Sequence, residues 1–171
     1  GPLLDAVGEL GVRSVLLRVH PWEEDHRATV AMARELHRRG TEVAFAVPQN
    51  RDLVRDPARW RAAVEAIGEL LTPYGSVFQV GQAPNRSKWG VWTRDEYVRL
   101  FTVAAEVLRR HPGVELAGPA VIDFEHHFTA YVQLAAALEE TAPERAAQLR
   151  GLAAKAFPER FRAPERTAQQ L

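Results

Sequence analysis

Short apolar runs alternate with amphipathic stretches along most of this chain. Leu3, Leu4, Val7 and Leu10 fall at helical spacing and stop at Gly11, which predicts an opening helix with a glycine cap. Residues 14–19 are nearly all apolar, the pattern of a strand covered on both faces, and His20-Pro21 closes it. Glu23, Glu24 and Asp25 suit the positive end of a helix dipole, and the helix they begin is expected to reach Arg39 before Gly40. The same unit then recurs. Residues 42–47 make a second apolar strand, Gln49-Asn50-Arg51-Asp52 its polar exit, and Asp56-Pro57 an N-cap with a first-turn proline. Trp60, Ala63, Val64, Ile67, Leu70 and Leu71 line one side of the helix that follows, up to Pro73 and Gly75. Residues 77–80 are the third strand. Thr93 and Glu96 form a capping box, with a buried stripe of Tyr97, Leu100, Phe101, Ala104 and Leu108 behind it. Residues 114–121 read as a fourth strand, leaving through Asp123-Phe124-Glu125-His126-His127 into a helix.

Strand starts near Val15, Val43, Val77 and Val114 are separated by 28, 34 and 37 residues, the length of a βα unit with short connections. Four such units predict an α/β fold with a parallel sheet under helices. After Leu138 no fifth strand is visible. The expected organisation is a (β/α) segment over residues 1–138 and a helical to extended tail over 139–171, with one more helix at 144–156. Two architectures fit. A doubly wound sheet places its ligand near one switch point, whereas a partial TIM-type (β/α) barrel or half-barrel loads the C-terminal end of every strand. Here every exit is loaded: His20 and Trp22, then Gln49 to Arg51, then Gln82 to Trp89, then Asp123, Glu125, His126 and His127. That distribution favours the barrel.

Charge narrows the partners. With 22 basic and 22 acidic residues, the net charge is zero, so neither a polyanion nor an acidic membrane surface is expected. Arginine dominates the cations in a way that a GC-rich, bacterial-type coding sequence produces. The absence of cysteine excludes disulfides and thiolate chemistry. No run reaches the ~18 apolar residues of a membrane span and no signal-peptide pattern is seen; the compartment stays undecided, with the cytoplasm as the default expectation. Gly1-Pro2 fits the remnant of a cleaved tag, and the chain can be a piece of a longer one.

The third exit gathers the densest chemistry. Gln82, Asn85, Arg86, Lys88 and Trp89 combine amide forks, cations and an indole, the set that pyranose hydroxyls and C–H faces require. The plainer reading is two solvated cations and two tryptophans covering a helix edge. Asp123 and Glu125 alternate and can share a face, with His126 or His127 beside them as acid or base; they can equally be a helix cap and a first-turn acid. Adjacent histidines on a helix point ~100° apart and match no standard metal spacing, so no metal and no cofactor is expected.

Four segments carry a resemblance: Leu-Leu-Arg-Val-His-Pro-Trp at 16–22, Ala-Phe-Ala-Val-Pro-Gln-Asn-Arg at 44–51, Phe-Gln-Val-Gly-Gln-Ala-Pro-Asn-Arg-Ser-Lys-Trp-Gly at 78–90, and Gly-Pro-Ala-Val-Ile-Asp-Phe-Glu at 118–125. Together they resemble strands two to five of a clan A glycoside hydrolase-like (β/α)8 barrel, over residues 11–138. In that clan the fourth strand ends in Asn-Glu, the Glu being the general acid/base, and Gly81-Gln82 fills those places here. The resemblance therefore puts Gln82 at the acid/base position, Arg18 at an arginine that neighbours the nucleophile, and the nucleophile on a seventh strand that this sequence does not display. What it implies is a carbohydrate-binding barrel with an impaired catalytic pair, its mouth lined by Arg18, His20, Trp22, Gln49, Arg51, Asn85, Arg86, Lys88, Trp89 and His126. Two other readings stay open: a half-barrel that oligomerises or receives a missing barrel half, and an active glycosidase using Asp123 or Glu125.

Overall fold

A computed structural model describes residues 2–121 and 142–156. Four parallel strands, β1 (Ser14–Arg18), β2 (Glu42–Val47), β3 (Val77–Val80) and β4 (Glu115–Ala117), form one sheet in the order β1-β2-β3-β4. The order is sequential. Among the described strands there is thus no reversal of the kind that makes a switch point in a doubly wound sheet.

Helix α1 (Pro2–Glu9) precedes the sheet, and α2 (Arg27–Arg38), α3 (Arg51–Arg55), α4 (Pro57–Leu71) and α5 (Arg94–Leu108) fall in the connections. A last helix, α6 (Pro143–Ala156), lies in the segment read as a tail. The caps follow local chemistry. Asp56 accepts from the Arg59 N–H with Pro57 behind it, and Thr93 and Glu96 form the full reciprocal box. Helix α2 starts four residues later than the acidic run suggests. The reason is local: Glu23 N–H bonds back to the His20 carbonyl, and Asp25 turns on the Arg27 backbone and guanidinium, so these acids shape the entry turn instead of occupying the first helical turn. Helix α3 was not foreseen at all. Asn50, read as part of a polar exit, accepts from the Leu53 N–H and nucleates this short helix. Strand β4 is also shorter than the apolar run at 114–121, although a bridge at Ala120 extends the pairing to Gln82.

The register sorts the side chains. Leu17, Phe45, Phe78 and Leu116 stand in one row, flanked by Val15, Val43, Val19, Val47 and Val80 on the same face. That face and the inner sides of α2 to α5 share one core, with Phe45 and Phe78 in ring contact at 5.2 Å. Trp60 of α4 donates its indole N–H to the Leu100 carbonyl of α5 and so locks the two longest described helices together. The opposite face carries Leu16, Ala44 and Val77 in one row and Arg18, Ala46, Gln79 and Ala117 in the next, and contributes nothing to the core cluster. Leu16 is 55% exposed. The apolar run at β1 therefore is not covered on both faces; its alternate residues divide between the core and an open side.

Candidate functional site

Backbone bonds first bring the strand ends level. Val19 N–H donates to Ala46, Gly81 N–H to Val47, and Ala83 N–H to Ala120, tying the exits of β1, β2 and β3 and the segment after β4 into one rim. Gly81 has φ 95°, and a Cβ there would sit 2.7 Å from the Tyr97 ring, so the turn out of β3 requires glycine. Tyr97 closes this corner by donating its hydroxyl to the Val80 carbonyl at 3.0 Å, and burial pushes its phenol well above the ordinary value. Ala83, fully buried, has φ 42°, a left-handed conformation that an alanine rarely adopts.

Gln49 then fixes the loop. It is 1% exposed, and both its amide hydrogens are committed, to the Gln82 carbonyl at 2.7 Å and the Trp89 carbonyl at 2.9 Å. Its oxygen accepts from the Gln82 N–H at 2.8 Å. One side chain from the β2 exit thus holds both ends of the loop after β3. Arg51 adds a second tie: its Nη1 donates to the Gly90 carbonyl and to Glu96 at 2.7 Å, while the guanidinium lies 3.8 Å above the Trp92 ring. Gly90, at φ 91°, lets the loop lie against the Asn50–Arg51 backbone, since a Cβ would meet the Arg51 backbone nitrogen at 2.5 Å. Partial burial pushes the Glu96 carboxyl up, yet the Trp92 N–H, Arg51 and the Thr93 N–H together outweigh it and hold the group below the usual carboxylate range.

Further polar and aromatic groups stand around the same rim. Arg18, the last residue of β1, shares a register row with Ala46 of β2, and its Nη2 reaches across to Gln82 Oε1 at 3.4 Å. Alanine at that register position leaves room for Arg18 and Gln82 to meet over β2 on the open face. Gln82 itself is 8% exposed. His20 and Trp22 stack on each other at 4.8 Å with rings 14° apart, and His20 Nδ1 lies 2.9 Å from Glu23, so one face of Trp22 is taken by its own neighbour. Lys88 is exposed on a 3-10 turn, Ser87–Trp89, next to Trp89, whose indole nitrogen is buried with no hydrogen-bond partner. Asn85 and Arg86 are half-buried in the same loop.

The structure therefore brings Arg18 and Gln82 into contact, builds Gln49 and Arg51 into the rim, and keeps His20 with Trp22 one strand away. Asp123, Glu125 and His126 lie outside the described residues. Glu96 and Tyr97 were legible only as a capping residue and an apolar stripe; their second roles, holding Arg51 of α3 and the Val80 carbonyl of β3, depend on elements distant in sequence. Among the described residues no group of three or more histidines and carboxylates is placed to hold a metal, and no helix is long and apolar enough to cross a membrane. No protein-family model matches the chain, and neither a curated protein nor a solved structure shows significant similarity to it.

Replacing Gln49 by methionine keeps its length and removes its hydrogen bonds, stranding the Gln82 N–H and carbonyl and the Trp89 carbonyl in the interior. Each stranded group costs about 1–3 kcal/mol. Urea unfolding of Gln49→Met is expected to show a loss of at least about 2 kcal/mol with an unchanged m value; a loss under about 0.5 kcal/mol would mean that the clamp carries no weight.

Proposed function

We propose that this chain is part of a clan A glycoside hydrolase-like (β/α) barrel, that its strand ends bind carbohydrate, and that Gln82 leaves it without the normal acid/base. The observation that carries this reading is the Arg18 to Gln82 contact across β2. It unites two positions that the resemblance assigns to one active centre. Sequential strand order and helices gathered on one sheet face support the barrel architecture, with the open face as its interior. A retaining glycosidase needs one carboxyl to protonate the leaving oxygen and a second about 5 Å away to attack the anomeric carbon. An amide has no proton to give and recover at neutral pH. Arg18 orients negative charge but does not transfer protons, so binding without turnover is the expected behaviour unless Asp123 or Glu125 supplies the acid. Trp89, on the rigid loop, is the indole proposed to pack on a sugar face.

Calorimetric titration of the protein with a glycan panel is expected to find at least one ligand, with affinity about tenfold weaker in Trp89→Ala, the loss of about 1.4 kcal/mol of ring contact. No heat with any sugar would sink the proposal.

A second reading, an assembly module, rests on a different observation: Leu16, a strand leucine, is more than half exposed on the open sheet face. In a closed barrel that position points inward, and a half-barrel closes by receiving a second half. Native mass spectrometry is expected to show a dimer that Leu16→Lys dissociates; a strict monomer at all concentrations removes this reading.

A further inference from the structure

The Arg18 and Gln82 pair says more about the ligand than its being a sugar. Arginine carries only donors, so the oxygen of the Gln82 amide must face it and the NH2 must face away. Among the described residues no group accepts from that NH2, and the Gln82 backbone cannot shift to find one, because Gln49 holds both its N–H and its carbonyl. The guanidinium is similarly uncommitted. Its contact with Gln82 is long, at 3.4 Å, and no carboxylate among the described residues pairs with it. Of the described carboxylates near the rim, Glu96 is consumed by Arg51 and two backbone N–H groups, and Glu23 is drawn to His20. Lys88 adds a further exposed cation to the loop that carries Gln82.

Among the described residues, Arg18 and Gln82 thus present donors and positive charge with no carboxylate between them. A sugar hydroxyl can accept from either donor, but it is neutral and offers the guanidinium no counter-charge. A carboxylate offers two acceptor oxygens, matches the guanidinium fork, and bonds it more strongly than any neutral group does. Resting on the carbohydrate reading above, we infer that the saccharide bound here is acidic: a uronic acid residue whose carboxylate bridges Arg18 and the Gln82 amide.

The test compares a galacturonate trisaccharide and a glucuronate-terminated oligosaccharide with their neutral galactose and glucose counterparts, titrated into the full chain at low and high salt. A charge-assisted pair in place of a neutral contact corresponds to about tenfold or greater preference for the acidic sugars, declining as salt rises. Arg18→Gln is expected to erase that preference, and Gln82→Glu to erase it too by giving Arg18 an internal carboxylate; both side chains sit at the open face, and circular dichroism checks that the variants fold. Equal affinity for acidic and neutral sugars overturns this inference and leaves the carbohydrate reading standing. Failure of every saccharide to bind overturns both.

Discussion

Everything at the strand ends depends on one buried amide. The carboxamide that Gln49 carries offers two donors and an acceptor in one plane without bringing a charge into the interior. Lysine or glutamate there would face an uncompensated desolvation cost, and an apolar residue would leave three backbone groups orphaned. Because it grips both the Gln82 and the Trp89 backbone, a loop with no regular ladder of its own behaves as part of the sheet rim. Arg51, Glu96 and the two positive-φ glycines then restrict the remaining freedom. The consequence for function is preorganisation: Gln82 and Trp89 need little ordering when a ligand arrives.

The second constraint is steric. A sheet in sequential order puts β1 and β3 on opposite sides of β2, about 10 Å apart given ordinary strand spacing. Arg18 and Gln82 meet across that gap, and Ala46, the register partner of Arg18 on β2, adds little bulk between them. Small residues on the open face and large aromatics on the core face are therefore two halves of one arrangement. Phe45 and Phe78 fill the space under the helices, while Ala44, Ala46 and Ala117 keep the other side shallow enough for long polar side chains to converge.

Much of the fold was legible because its signals are local. Apolar runs of four to six residues, the Asp56-Pro57 start, the Thr93 to Glu96 box and the glycines after helices each act over one turn of chain, and each appears where the periodicity places it. Helix α3 was hidden because Asn50 caps it while the sequence around reads as exit loop; a five-residue helix has too little periodicity to declare itself. The site was legible in composition and not in role. Gln49 and Arg51 stood among the candidate ligand contacts, yet their hydrogen bonds reach residues 33 to 45 positions away, and no spacing rule connects them. Leu16 shows the limit of reading burial from a strand: an apolar run tells that both faces are hydrophobic, not that both are covered.

The central claim, that the rim after β3 is a rigid extension of the sheet, is tested most directly by native-state amide hydrogen exchange. Protection of the Gly81, Gln82 and Ala83 amides should approach that of the β2 and β3 amides, since each donates to a fixed acceptor inside the rim. Exchange at those three amides as fast as in an exposed loop would contradict it.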